Sequence, residues 1–187
     1  METLLINLRN KKLSIEDFRK AADKVAVLLA KEVAKYLNKE KVATSNIVLV
    51  PVLRSGVVLL HPFLQIFLTS KVGFIGLKRN EKTLKPKAYY HNLPKIKKQD
   101  KVIVIDPMLA TGGSALATIK DLINAGAAEK NIIFAGLISS PEGIANLQKN
   151  FPHIEMFIAV QDKGLDKKGY IVPGLGDFGD RYFGTTK

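Results

Sequence analysis

Apolar residues recur at helical spacing near the start of the chain, with Phe18, Ala22, Val25, Leu29, Val33 and Tyr36 three or four positions apart. Ser14, with Asp17 three residues later, has the arrangement of an N-cap, so the pattern predicts one amphipathic helix over residues 14–37. Downstream the period changes. Apolar runs of strand length fall at residues 47–52, 72–77, 102–106, 132–138 and 154–160, and none alternates as a half-exposed strand would. They predict strands buried on both faces. Residues 56–67, 114–125 and 142–150 read as helices, the second with Ala115, Leu116, Ile119, Leu122 and Ile123 on one side. Strand alternating with helix implies right-handed crossovers, so the expected fold class is α/β: a mostly parallel central sheet flanked by helices.

Two segments break the alternation. Residues 78–101 are rich in lysine and carry Pro86, Tyr89, Tyr90 and Pro94, which predicts a polar excursion or hairpin outside the sheet. Residues 162–187 are dense in glycine, and no regular helix is expected there. With no internal repeat or linker, the 187 residues predict a single domain, 1–187.

Composition narrows the chemistry. The chain has no cysteine, which excludes disulfide frameworks, thiolate metal sites and a cysteine nucleophile. The most apolar stretch, residues 57–68, is interrupted by His61, Pro62 and Gln65 and falls short of the roughly 20 residues a membrane-spanning helix needs. No export signal is seen at the N-terminus, so a cytoplasmic address is expected. Lys and Arg number 29 against 17 Asp and Glu, a formal charge of +12 that attracts anions without specifying which.

In an open α/β sheet, ligands bind beyond the C-terminal ends of the strands. After the strand ending at Ile105 comes Asp106-Pro107-Met108-Leu109-Ala110-Thr111-Gly112-Gly113-Ser114, and then a helix. Adjacent glycines admit a ligand close to the backbone, and the first N–H groups of the helix lack internal partners, so the string reads as a phosphate cradle. Thr111 and Ser114 add hydroxyl donors, and Asp106 offers an acceptor for sugar hydroxyls. The plain alternative is an ordinary strand-to-helix turn with Ser114 as its cap. Arg54 and Arg79 also follow strands, and a guanidinium fork matches a pair of phosphate oxygens, although a lone surface arginine is more often simply solvated.

The tail carries a formal G-x-G-x-x-G at Gly174, Gly176 and Gly179, but only eight residues, 180–187, follow it. A dinucleotide-binding unit does not fit. What remains is a glycine-rich loop with exposed backbone donors and acceptors plus Asp177 and Asp180, suited to the edge of a planar base or else serving turns. His61, His91 and His153 have no metal-ligand spacing. The lysines of residues 95–101 could meet RNA, but no aromatics are interleaved with them as stacking platforms.

Together these segments resemble the uracil phosphoribosyltransferase family. The string from Val104 to Ser114 is similar to its motif for 5-phosphoribosyl 1-diphosphate. Gly169-Tyr170-Ile171-Val172-Pro173-Gly174-Leu175-Gly176-Asp177 and Gly179-Asp180-Arg181-Tyr182-Phe183-Gly184-Thr185 resemble its uracil-binding tail. Pro51-Val52-Leu53-Arg54-Ser55-Gly56, Lys78-Arg79-Asn80-Glu81 and Pro141-Glu142-Gly143-Ile144 fall in the family's order. The resemblance covers residues 14–185.

It implies a type I phosphoribosyltransferase fold and a pentosyltransferase in pyrimidine salvage: uracil and 5-phosphoribosyl 1-diphosphate give UMP and diphosphate. Asp106 would hold ribose hydroxyls, Ala110, Thr111, Gly112, Gly113 and Ser114 the 5′-phosphate, and Arg54 and Arg79 the diphosphate, with Pro107, Met108 and Leu109 completing that motif. Arg79, Asp106 and Asp177 would be the catalytic set. Asp177 would face Mg2+ directly or through water, and backbone groups of Ile171, Gly176 and Phe178 would read the base. A homodimer or larger homo-oligomer and a GTP effector are further expectations, and no membrane or nucleic-acid partner is implied. Phe178 departs from the small residue usual in the family; a ring turned inward would fill the base pocket, and one turned outward would not. The chain also begins late relative to the family, with a shorter segment before the first helix, which bears on oligomer contacts and GTP activation. The alternatives are a non-enzymatic RNA-binding regulator on this scaffold and a phosphoribosyltransferase for another base.

Overall fold

The computed structural model describes residues 2–79 and 86–185, and the side chains among them except those of Glu2, Thr3 and Arg79. Its first helix, α1 (Glu2–Arg9), was not expected, because eight residues give too few turns for a clear period. The long helix α2 (Ile15–Lys39) forms as the spacing predicts, with the Ser14 side chain accepting from the Asp17 amide. There follow β1 (Ile47–Leu53), α3 (Val57–Ile66), β2 (Lys71–Val72), β3 (Phe74–Arg79), β4 (Pro86–Asn92), β5 (Lys101–Ile105), β6 (Met108–Leu109) and α4 (Gly113–Asn124). The chain continues through β7 (Ile132–Ser139), α5 (Pro141–Asn150), β8 (Glu155–Gln161), β9 (Gly164–Leu165), β10 (Ile171–Val172) and α6 (Phe178–Phe183).

The central sheet runs β4, β3, β1, β5, β7, with β8 on the far side of β7 and β2 also paired to β1. All pairings are parallel except β3 with β4. β5 and β6 share one edge of β7, pairing at Ile105↔Ala135 and again at Met108↔Ile138. Asp106 and Pro107 stand in the interruption between them.

Continuous apolar strands follow from two cores, one on each face. Ile47 and Leu49 of β1, Ile103 and Ile105 of β5, and Ile133, Ala135 and Leu137 of β7 pack under α2 and α3. The intervening Val48, Val50, Val102, Val104, Ile132 and Phe134 pack against Ile119 and Leu122 of α4 and Leu147 of α5. At about 25 cal/mol per Å² of apolar surface, this two-sided burial is the chief stabilising term.

Four expectations change. The run at 72–77 is two strands separated by Gly73, where a Cβ would lie 2.7 Å from the Leu93 side chain. β8 is an edge strand and only half-buried, because one of its long sides has no neighbouring strand among the described residues. The segment at 78–101 does not lie outside the sheet: its β4 joins antiparallel to β3. The tail does contain a helix, α6, started by Asp177 as N-cap and stopped by Gly184 at φ 74°, with only Gly179 inside it.

Candidate active site

β5 delivers Asp106 to the C-terminal edge of the sheet, and β6 then carries the chain into the turn before α4. Gly112 is the N-cap of α4 at φ 81°, a left-handed conformation that disfavours a side chain, and no side chain caps the helix. Ser114 lies inside the first turn rather than at the cap, so the ordinary capped-turn alternative is not what forms. Thr111 Oγ1 accepts only a long bond, 3.4 Å, from the Gly113 amide. Pro86, at the start of β4, and residues 108–115 line a cavity of about 120 Å³ at this turn.

A second cavity, of about 250 Å³, is lined by Asp106, Met108, Ala110 and Ser114 from this strand-to-helix connection and by Ile171, Gly176, Asp177 and Phe178 from the tail, with Ser55, Gly169 and Tyr170 between. Segments some 65 residues apart in sequence therefore converge on one space. Burial pushes the Asp106 carboxyl up to about 7, against a hydrogen bond donated by the Met108 amide at 3.3 Å that favours the charged form. A carboxyl lining a cavity with its pKa so raised is a candidate functional group.

The expected residues do not all share these cavities. Pro107 is buried and uses its carbonyl within the sheet, accepting from Leu137 and Ile138 amides. Leu109 lines the smaller cavity while its side chain sits in the core. Arg54 lies just past β1 and is absent from the lining of both; its guanidinium donates to Asp180 at 3.2 Å, so it already holds a carboxylate of the kind a phosphate would replace. The Arg79 backbone ends β3, and its side chain lies outside the described residues, as do Asn80 and Glu81. Asp177 is exposed, and its Oδ1 accepts from the Asp180 amide at 2.8 Å. The Phe178 ring turns into the core, 5.5 Å from the Phe18 ring and 6.1 Å from that of Tyr182, so it does not fill the second cavity.

The family model for uracil phosphoribosyltransferase matches residues 1–185. The chain belongs to the uracil phosphoribosyltransferase family. It is 43% identical to the uracil phosphoribosyltransferase of Bacillus licheniformis, covering 97% of this chain and 92% of that one. Identity to the Clostridium acetobutylicum enzyme is also 43%, over 95% and 91%. Among solved structures, the AQ2163 protein from Aquifex aeolicus is 32% identical with a TM-score of 0.90, covering 99% of this chain and 94% of that one. The purine phosphoribosyltransferase from Pyrococcus horikoshii is 17% identical, with a TM-score of 0.53 over 78% and 92%. That last likeness is one of fold, the type I phosphoribosyltransferase architecture.

Several contacts that build this candidate site gave no sequence signal. Arg9 donates to both carboxylate oxygens of Asp162 and, at 2.9 Å, to the Gly174 carbonyl, while the Gly174 amide donates to Asp162 at 2.7 Å. Burial would raise the Asp162 carboxyl, but the bonds from Arg9 and Gly174 outweigh it and hold it below the usual range. Arg181 donates to the carbonyls of Leu8, Asn10 and Leu175. The end of α1 is thus bonded to the tail that lines the cavity. Ser140, the N-cap of α5, and Asn146 within it donate to the carbonyls of Ala110 and Thr111 in the turn before α4. Apart from the bonds of Gly174 to Asp162 and of Arg181 to Leu175, these partners lie 30 to 173 residues apart, beyond the reach of local motifs.

Proposed function

We propose that this uracil phosphoribosyltransferase works in the cleft between Asp106, the turn at residues 111–114 and the tail at 169–178, joining uracil to 5-phosphoribosyl 1-diphosphate to give UMP and diphosphate. The observation that carries this reading is the shared 250 Å³ cavity, where a carboxyl at the strand end and the phosphate turn meet a loop of exposed backbone groups.

Uracil N1 forms the new bond to C1 of the ribose as the C1–O bond to diphosphate breaks, with inversion and loss of the N1 proton. Positive charge gathers on the ribose and negative charge on the leaving group. Asp106 accepts hydrogen bonds from the ribose hydroxyls, and its carboxylate favours an oxocarbenium-like centre nearby. The amides at 111–114 hold the 5′-phosphate at the N-terminus of α4, fixing C1 relative to the base. The exposed Arg54 exchanges Asp180 for diphosphate oxygens, and Arg79 is assigned to the same leaving group from its motif. Backbone groups of Ile171, Gly176 and Phe178 read the base. Fixed amides discriminate the donor and acceptor edge of uracil from that of cytosine without a titrating side chain.

No cluster of three or more His, Cys, Asp or Glu side chains able to hold a metal occurs among the described residues. Two carboxylates, Asp106 and Asp177, do line one cavity, which suits an ion that brings most of its ligands as phosphate oxygens and water. Mg2+ fits that description. Asp177 would hold it directly or through water, and it would neutralise the departing diphosphate.

No helix among the described residues is long and apolar enough to cross a membrane, and a cytoplasmic location accords with this. A homodimer or larger homo-oligomer is supported by an apolar groove of about 290 Å³ between Leu53, Arg54, Val57, Tyr89 and Phe183, where Tyr89 is 57% exposed. A GTP effector is retained only from the family resemblance. The deciding assay mixes the protein with uracil, 5-phosphoribosyl 1-diphosphate and Mg2+, with cytosine, hypoxanthine and orotate as competitors and RNA binding measured separately. UMP formation that the other bases fail to suppress supports the reading; transfer to another base, or salt-sensitive RNA binding with no transfer, contradicts it.

A further inference from the structure

The phosphate turn is gripped from behind by the start of α5. Three consecutive carbonyls of the turn are taken by two residues: Leu109 O by the Ser140 amide at 3.0 Å, Ala110 O by Ser140 Oγ at 2.7 Å, and Thr111 O by Asn146 Nδ2 at 2.8 Å. The direction of each side-chain bond is fixed by a second one. Ser140 Oγ already accepts from the Gly143 amide at 2.9 Å, so its proton is free for Ala110. Asn146 Oδ1 accepts from Asn150 Nδ2 at 3.2 Å, which leaves its NH2 group facing the turn.

A trans peptide is planar, with its C=O and N–H pointing in opposite directions. Pinning the Ala110 and Thr111 carbonyls toward α5 therefore turns the N–H groups of Thr111 and Gly112 away from it. Their open side is the cavity that Thr111 and Gly112 line. Neither of these amides has a hydrogen-bond partner among the described residues. With Gly112 left-handed at φ 81°, successive amides turned the same way would suit an anion.

We infer that Ser140 and Asn146 are positioning residues of this enzyme: by holding the carbonyls of Ala110 and Thr111, they aim the Thr111 and Gly112 amides at the ribose 5′-phosphate. They touch no substrate themselves. The inference rests on the reading of residues 111–114 as the phosphate-binding turn and explains how that turn stays open before ligand arrives. Ser140 also caps α5, so Asn146 is the cleaner probe.

The test compares Asn146→Ala, Asn146→Asp and Gly112→Ala, measuring KM for both substrates, kcat and Tm. Losing one oriented hydrogen bond should raise KM for 5-phosphoribosyl 1-diphosphate about three- to tenfold in Asn146→Ala. The uracil KM should stay within about twofold, as one half of the site alone is disturbed. Asn146→Asp keeps the shape but replaces the donor by an acceptor facing the Thr111 carbonyl, so it should be at least as impaired. A residue that merely packed would tolerate it. Unchanged phosphoribosyl diphosphate KM in both Asn146 variants, with Gly112→Ala strongly impaired, overturns the positioning role and leaves the turn's assignment standing. All three variants unchanged would remove that assignment and the inference with it. An equal rise in both KM values accompanied by a loss of Tm reduces Asn146 to a structural residue.

Discussion

Asp106, proposed to hold the ribose hydroxyls, carries a cost to folding. Its carboxyl is raised by burial from 3.8 to about 7 in the folded protein, so between those pH values the native state binds a proton that the unfolded chain releases. Its stabilising contribution is complete below pH 3.8 and is lost as pH rises toward 7. Asp106→Asn should therefore raise stability at pH 8, by up to about 4 kcal/mol at 1.36 kcal/mol per pKa unit, and leave it little changed near pH 4, as thermal melts at the two values would show. The same variant should lower kcat/KM by about ten- to a hundredfold, since hydrogen bonds to a charged acceptor contribute roughly 1.5–3 kcal/mol. In the parent enzyme, capture of 5-phosphoribosyl 1-diphosphate should strengthen as pH rises through about 7 and the carboxylate forms. A flat profile in the parent would contradict the ribose role. Phe178 illustrates what sequence leaves open at this scale: its departure from the family pattern was visible, the direction of its ring was not. Because the ring is 1% exposed and packs on Phe18, Phe178→Ala should cost about 3–5 kcal/mol in denaturant unfolding.

At the level of elements, α2 and α4 were legible from a helical period sustained over several turns, and β1, β5 and β7 from the continuous apolar runs that burial on both faces requires. α1 and α6 were not, having eight and six residues and depending on tertiary contacts for their stability. The glycine-rich turn at residues 111–114 stood out in the sequence because its signal is local. The Arg9 bridge to Asp162 could not, since it spans 153 residues. That bridge joins α1 to the tail, with Asp162 only 3% exposed at its side chain. Arg9→Met should leave a buried carboxylate without its cation and destabilise the fold by about 3 kcal/mol, while raising the uracil KM more than that for 5-phosphoribosyl 1-diphosphate. Asp162 is held below its ordinary range, so the stability it contributes is present above its unfolded pKa and disappears as pH falls through the folded one. The acid limb of a stability profile should accordingly flatten in Arg9→Met. An unchanged limb would show that Arg9 does not hold the carboxylate.

For the molecule as a whole, the sheet brings the two parts of the proposed site to one edge: the turn at residues 111–114, held by Ser140 and Asn146, and the tail loop, held by the end of α1. In the proposed mechanism neither part suffices for transfer, and the +12 charge draws the anionic substrate toward both. Chelating divalent cations with EDTA should abolish transfer and leave the melting temperature unchanged, because the described residues form no metal cluster that the fold depends on. The account's central claim is that the amides of residues 111–114 receive the terminal phosphate. Titrating 15N-labelled protein with ribose 5-phosphate, which carries that phosphate without the diphosphate, addresses it directly. Large saturable amide shifts at Thr111, Gly112, Gly113 and Ser114, with small ones at Ile171 and Gly176, are predicted. Shifts confined to other surfaces, with those four amides unmoved at saturation, would contradict it.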